Sequence, residues 1–279
     1  MPTKLGQNFL KDPLILDKLI QVANLSSTDF VIEVGPGEGI LTEQLIKHAK
    51  KVIAIEIDQE LAVKLASRLP ARQAGLRGNN KIEIITADIL KINLPELISA
   101  EIVETRHCLV STDNKINHPY KVIANIPYYI TSPIIRLLLE TKYPPTEMFL
   151  MVQKEVAERI CAKAGKLSIL ALSVQYYATA ELLFLVPRTA FAPVPDVDSA
   201  IIHITLNTNR EKQEVTKKFF KLIKAGFSAK RKTLINNLSN SLKLEKTIVE
   251  QKLKQINISA KQRAQELTLE DWKKIAELL

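Results

Sequence analysis

Five short, almost purely apolar runs constrain this chain most: Phe30–Val34, Val52–Glu56, Ile82–Thr86, Lys121–Asn125 and Glu147–Val152. Each is five or six residues long. None alternates apolar with polar, as a strand with one wet face would. Both faces are therefore expected to be buried, which is the condition of strands inside a parallel sheet. Helical patterns fall between the runs, at Leu41–Ala49, Gln59–Leu69, Ser132–Thr141 and Lys154–Ala164. Alternation of this kind predicts a doubly wound α/β sheet. Two further runs, Leu182–Val186 and Ala200–Leu206, bring the expected strands to seven. The interval between those two, Pro187 to Ser199, is rich in Pro and has no helical pattern long enough for a crossover. The last strand is therefore predicted to run antiparallel.

From Asn207 onward no strand-like run recurs, and helical periodicity takes over, as in Phe219, Leu222 and Ile223. An α/β domain over residues 1–207 and a small all-α domain over 208–279 are expected. Segments 70–80 and 99–119 read as loop insertions. The two parts differ in charge. Residues 1–207 hold 22 basic and 22 acidic residues, whereas 208–279 hold 17 basic and 8 acidic, so the whole net charge of +9 lies in the tail. No acid occurs between Glu214 and Glu245. A neutral body with a basic end points to a polyanionic partner, with nucleic acid as the first candidate. The residues expected to meet it are Lys217, Lys218, Lys221, Lys224, Lys230, Arg231 and Lys232. Lys217, Lys221 and Lys224 share a helical face by spacing, and Lys230 to Lys232 are expected to begin the next helix.

Several classes are excluded. No apolar run is long enough to span a bilayer, and the N-terminus has no apolar core of signal-peptide length. Two cysteines, Cys108 and Cys161, far apart and without a CxxC, exclude a disulfide scaffold and a Cys-rich zinc site. A cytoplasmic protein without a metal is expected. His107-Cys108 falls in an expected insertion, and Asp198 reads as a turn cap rather than a ligand.

Four motifs carry chemistry. In Glu33-Val34-Gly35-Pro36-Gly37-Glu38-Gly39 a buried strand runs into a glycine turn before a helix. Such turns let backbone approach a ligand at the carboxyl edge of the sheet. The spacing is GxGxG rather than the dinucleotide GxGxxG, which argues against a pyrophosphate. Glu56 ends the second strand, 21 residues beyond Gly35, where an acid can accept both ribose hydroxyls of an adenosine. Asp88, past the third strand, can accept from an adenine amino group. Asn125-Ile126-Pro127-Tyr128 closes the fourth strand. The exocyclic amine of a base is a poor nucleophile, because its lone pair is delocalised into the ring. Two acceptors, the Asn125 side chain and a carbonyl at 126 or 127, can hold both N–H groups and free that lone pair. Pro127 fixes the backbone and lacks a donor. Tyr128 offers a stacking face, worth about 1–3 kcal/mol in other base–aromatic contacts.

With these motifs the chain resembles the ribosomal RNA adenine dimethyltransferases. Leu5-Gly6-Gln7-Asn8-Phe9-Leu10, Gln153–Ala157, Phe191–Ser199 and Phe227–Leu234 extend the likeness along nearly the whole chain. The resemblance implies a Rossmann-like methyltransferase sheet, S-adenosylmethionine as cofactor, and dimethylation of two adjacent adenines near the 3′ end of small-subunit rRNA. It implies that Asn8, Leu10, Gly35, Glu56, Asp88 and Asn125 contact the cofactor, that Gly37 and Gly39 shape its loop, and that Ile57 packs on its adenine. Asn125, Pro127 and Tyr128 would form the catalytic group, with Phe191 as a second aromatic wall. A partly assembled small subunit is the expected substrate, and a monomer the expected state. Tyr129 departs from the Asn or Gln expected there. Two alternatives share the scaffold: a large-subunit rRNA methyltransferase that confers macrolide resistance, and a non-catalytic RNA-binding or transcription-assembly factor.

Overall fold

The structure is a computed structural model, and it describes residues 8–69, 81–103, 120–207 and 213–279. Most of the two expected insertions, the 208–209 part of the polar junction, Leu5 to Gln7 and His107-Cys108 lie outside the described residues. The chain divides into two compact units. One comprises 1–157 and 181–206, the other 158–180 and 207–279. A division near 207 was expected from sequence. The assignment of 158–180 to the helical unit was not.

In the first unit the chain runs β1 (Phe9–Leu10), α1 (Pro13–Ala23), β2 (Phe30–Val34), α2 (Ile40–His48), β3 (Lys51–Glu56), α3 (Gln59–Arg68), β4 (Ile82–Thr86), α4 (Leu94–Val103), β5 (Tyr120–Asn125), α5 (Thr131–Glu140) and β6 (Glu147–Gln153). Then follow α6 (Lys154–Ile160), α7 (Ile169–Tyr177), which belongs to the second unit, and, back in the first, β7 (Ala178–Val186), β8 (Phe191–Ala192) and β9 (Ser199–Leu206). Seven strands form one sheet in the order β4-β3-β2-β5-β6-β9-β7. Pairings from β4 through β6 are parallel, and β9 lies antiparallel on β6. The expected helix over Lys154–Ala164 stops at Ile160. The Pro-rich interval contributes an element that no periodicity announces: β8 pairs antiparallel with β1, Leu10 opposite Phe191.

The pleat decides which side chains meet. Val31, Val52, Ala54, Ile123, Phe149 and Met151 share a core with Leu16 and Leu19 of α1 and Leu41 and Leu45 of α2. Side chains two residues apart on a strand face the same way. Glu33, Glu56 and Asn125 therefore leave the sheet on this same face. Glu33 pairs with Ala54 and Ile123, so it lies one pleat deeper than Glu56 and Asn125.

The second unit packs α7 with α8 (Gln213–Gly226), α9 (Leu234–Leu242), α10 (Lys246–Gln255) and α11 (Leu269–Leu278) around Trp272 and Phe219. A Cβ at Gly226 would collide with the Trp272 ring, so a glycine is what allows α8 and α11 to close on each other. Lys217, Lys218, Lys221 and Lys224 are exposed along α8. Lys230 to Lys232 are exposed too, but they do not begin a helix. They form the turn before α9, whose cap is Thr233.

Candidate active site

The carboxyl ends of β2, β3 and β5 meet a glycine turn in which Gly35, Gly37 and Gly39 all have positive φ (69°, 56° and 82°). L side chains rarely adopt that region, so glycine is required at each. The three then differ. A Cβ on Gly39 would enter Leu65 of α3, and Gly39 caps α2, so its role is close packing of helices. A Cβ on Gly37 would lie 2.8 Å from the Phe9 ring. Gly35 meets only the Asn125 carbonyl and Pro127 at 3.9 Å, which leaves its face open to the cleft.

That cleft is lined by Asn8, Phe9, Gly35, Gly37, Asn125, Ile126, Pro127 and Tyr128. A neighbouring hollow of similar size is lined by Phe9, Leu10, Glu33, Gly35 and Asn125 among others. The structure thus gathers Asn8, Leu10, Gly35, Gly37, Asn125, Pro127 and Tyr128. Phe9, which sequence reasoning left as part of a motif, lines both hollows.

Glu56 is 1 % exposed, yet both its oxygens are occupied. Oε2 accepts from the Gly37 amide and Oε1 from the Asp58 amide, each at 3.0 Å. A carboxylate has about four lone-pair sites, so two remain for the hydroxyls of a ribose. Glu56 therefore holds the glycine turn in place with half its acceptor capacity. Ile57, the next residue, is 48 % exposed and offers an apolar face where an adenine would lie. Asp88 accepts from the Leu90 amide at 3.0 Å and pairs with Lys91. It thus caps a turn, with acceptor capacity left over.

Asn125 donates from Nδ2 to the Asn8 carbonyl at 3.0 Å. A carbonyl can only accept, so the amide orientation is fixed with Nδ2 toward Asn8 and Oδ1 as the acceptor atom of the side chain. The choice between the carbonyls of 126 and 127 also narrows. The Ile130 amide donates to Pro127 at 3.1 Å, whereas no described bond reaches the Ile126 oxygen. Tyr128 is tied through its hydroxyl to Ser199 Oγ at 2.8 Å. Burial raises its pKa, an effect Ser199 only partly offsets, so the phenol stays neutral at physiological pH. Phe191, the expected second wall, is not among the residues that line either hollow. It is 3 % exposed, paired opposite Leu10 and part of the core.

Sequence reasoning missed Glu33 as a site residue, although an acid inside the apolar run Val31-Ile32-Glu33-Val34 was a visible signal. It is 1 % exposed, and Oε2 has no partner. Burial, with a smaller push from Glu56, raises its pKa to about 8, against the opposing influence of Thr42. Orphaned buried acceptors are costly, and a ligand with N–H donors and positive charge would satisfy this one. An adenosine-bearing cation such as S-adenosylmethionine fits the donor set: ribose at Glu56, apolar contact at Ile57, an open glycine face and an orphan acid. Among the described residues no group of side chains could hold a metal, and no helix is long and apolar enough to cross a membrane.

A parallel sheet closed by an antiparallel strand, with this cleft at its carboxyl edge, defines a Rossmann-like methyltransferase. The family model "Ribosomal RNA adenine dimethylase" matches residues 1–279. The chain belongs to that family and is an S-adenosylmethionine-dependent methyltransferase. It is 40% identical over 272 residues to ribosomal RNA small subunit methyltransferase A of Dehalococcoides mccartyi, covering 97% of this chain and 86% of that one. The same protein of Bacillus pumilus is 40% identical over 281 residues, with 99% and 90% covered. Among solved structures, a dimethyladenosine transferase from Plasmodium falciparum is similar at a TM-score of 0.73 and 28% identity, covering 96% and 95%. The 23S rRNA methyltransferase ErmE is similar at 0.72 and 25%, covering 98% and 99%.

The raised pKa of Glu33 has a consequence for stability. The folded chain keeps a proton that the unfolded chain loses near the ordinary value of 4.5. Stability therefore falls as pH rises from about 4.5 to about 8. Glu33→Gln removes this cost, which is on the order of 3 kcal/mol at pH 7. Thermal unfolding of the free protein should show the variant more stable at pH 7–8, with the two curves converging near pH 4.5. A constant difference across that range would contradict the buried, neutral acid.

Proposed function

We propose that this chain dimethylates two adjacent adenines near the 3′ end of small-subunit rRNA, in the cytoplasm, as a monomer acting on a partly assembled subunit. The observation that carries the reaction is the anchored amide of Asn125, whose free Oδ1 and the neighbouring Ile126 carbonyl border the cleft. Together they accept from both N–H groups of a target amine. The nitrogen is thereby favoured in a tetrahedral form, with its lone pair directed into the cleft. S-adenosylmethionine supplies an electrophilic methyl group when bound. Tyr128 stacks on the extruded base, and the bond to Ser199 holds its ring in place. No side-chain base is needed, because the methylated ammonium is acidic and releases its proton to water. In keeping with that, among the described residues neither hollow is lined by a histidine, and the Tyr128 phenol is neutral.

The substrate reading rests on sequence rather than shape. The TM-scores of 0.73 and 0.72 do not separate the relatives. Identity does: 40% to the small-subunit enzymes against 25% to the large-subunit one. A factor without catalysis would have no use for the cleft, the reserved lone pairs of Glu56 or the anchored Asn125.

Under-modified small subunits incubated with the chain and S-adenosylmethionine should give primer-extension stops at two adjacent adenines near the 3′ end. Asn125→Ala should lower methyl transfer by about 100-fold or more, the scale of a lost transition-state contact, with little change in RNA affinity. Stops in large-subunit rRNA instead would establish the macrolide-resistance reading. No methylation with RNA binding intact would establish the non-catalytic one.

The tail supplies the grip on phosphate in this account. Extruding an adenine costs a few kcal/mol, and the neutral first part of the chain offers little attraction to offset it. Lys217, Lys218, Lys221, Lys224, Lys230, Arg231 and Lys232 are exposed. Among the described residues none of them pairs with a carboxylate, and the ion pair of this unit joins Lys273 to Glu270. Replacing Lys230, Arg231 and Lys232 with Gln should weaken binding across unrelated RNAs and flatten the log–log salt slope by roughly two to three. Cofactor affinity should be unaltered. An unchanged slope would make these charges a solvated surface only.

A further inference from the structure

We propose that Tyr129 is a stacking platform for the nucleotide beside the target, so that one adenine of the pair rests on Tyr129 while its neighbour occupies the cleft against Tyr128. The inference rests on the dimethyltransferase reading of the cleft and deepens it by assigning a place to the second base.

Two consecutive tyrosines follow Pro127, and the structure uses them differently. Tyr128–Ile130 form a single 3-10 turn. About three residues complete such a turn, so neighbours on it point roughly a third of a turn apart. Tyr128 lines the cleft and is tied to Ser199. Tyr129 lines neither hollow and is 60 % exposed. Among the described residues no other ring and no cation packs against it. Its backbone is nevertheless fixed. The Ile130 amide donates to the Pro127 carbonyl at 3.1 Å, and the Thr131 hydroxyl donates to the Tyr128 carbonyl at 3.2 Å. A large aromatic face is thus held in solvent by a braced turn at the rim of the cleft, with no part in the core.

The rim continues in the segment that anchors Tyr128. Ser199 pairs with Gln153 at the carboxyl end of β6, so the loop leading into Ser199 lies along the same edge as the cleft. That loop exposes Val194 and Val197. Apolar groups exposed along one edge mark a contact surface. The partner that suits a solvated aromatic face is a nucleobase, because every base has a flat π-face and stacking on it tolerates any sequence.

The reaction explains the need for a second platform. The cleft has one Asn125 and one Tyr128 and therefore serves one base at a time. Two adjacent adenines are modified, so each enters in turn while the other waits outside. Extrusion breaks the stack between them and leaves the waiting adenine with a bare face in water. Tyr129 is the residue next to the target's stacking partner, and it takes over that face. An RNA strand has a direction. The waiting base lies on the 5′ side of the target in one turnover and on the 3′ side in the other, and a ring on a braced turn serves only one of these. Tyr129 therefore favours methylation of one adenine over the other.

The test uses the full chain with S-adenosylmethionine and under-modified small subunits, comparing wild type with Tyr129→Ala, Tyr129→Leu and Tyr129→Phe. Tandem mass spectrometry of the rRNA fragment counts methyl groups on each adenine over time. Tyr129→Ala and Tyr129→Leu should slow one adenine by about 5- to 150-fold, the loss of one base–aromatic stack, and leave the other near the wild-type rate. The deficit should appear in KM, because the stack forms on binding and persists through methyl transfer. Tyr129→Phe keeps the ring without the hydroxyl and should restore the wild-type pattern. Thermal unfolding and cofactor affinity should match wild type in all three variants, since the side chain is exposed and lines neither hollow. Equal slowing at both adenines overturns the inference and makes Tyr129 a general contact with the subunit. Unchanged rates in Tyr129→Ala, or a loss in Tyr129→Phe as large as in Tyr129→Ala, also overturn it. Failure of the wild type to methylate the pair overturns the dimethyltransferase reading itself, and that failure shows before any variant is compared.

Discussion

Parallel pairing of β2 with β3 on one side and β5 on the other is the constraint on which the rest depends. Parallel strands end at a common edge, and there the backbone hydrogen bonds of the ladder run out. Val34, Glu56 and Asn125 end their strands together at that edge. A ligand at this edge meets polar groups from strands far apart in sequence, and Asn125 is tied there to the carbonyl of Asn8, 117 positions earlier. Burial of both sheet faces by helices keeps the strands apolar and fixes their register. A slip of one residue would turn Glu33, Glu56 and Asn125 onto the opposite face.

Polar groups in so dry a place are expensive, and the chain satisfies them selectively. Glu56 is held by two backbone amides, Asn125 by the Asn8 carbonyl and Tyr128 by Ser199. Each bond fixes an orientation and leaves a specified atom free. Glu56 retains lone pairs, Asn125 retains Oδ1 and Tyr128 retains a ring face. Glu33 is the exception, since its Oε2 is left with no partner. This is the arrangement expected of a preorganised site, in which reorganisation is completed during folding rather than during reaction. The short β1–β8 ladder contributes by securing Phe9 and Leu10 beside the glycine turn.

Much of this was legible in the residues. The central strands β2, β3, β5 and β6 are legible because burial on both faces leaves uninterrupted apolar runs, and the antiparallel last strand follows from the missing crossover. What escaped has physical reasons. The helix over Ile169–Tyr177 is apolar nearly all round, so its periodicity is weak, and its membership of the helical unit depends on contacts remote in sequence. The helix over Pro13–Ala23 carries its start signal in Asp12 as a cap and Pro13 behind it, without a long apolar pattern to accompany it. β8 is two residues long and exists only because β1 pairs with it. Phe191 belongs to the core of the first unit, a placement its residue type does not announce, because aromatic residues serve both cores and bases. Lys230 to Lys232 were placed in a helix that begins after Thr233, an error of a few residues at a boundary. Glu33 carried its signal in plain view, but its isolation from any partner is a property of three dimensions.

A crystal structure of the chain with S-adenosylhomocysteine tests the central claim most directly, because it locates the cofactor against named atoms. The account predicts both ribose hydroxyls within hydrogen-bond distance of Glu56, the adenine against Ile57, and the sulfur facing Asn125 Oδ1. A ligand bound outside the edge formed by β2, β3 and β5, or a Glu56 carboxylate with backbone partners alone, would contradict it.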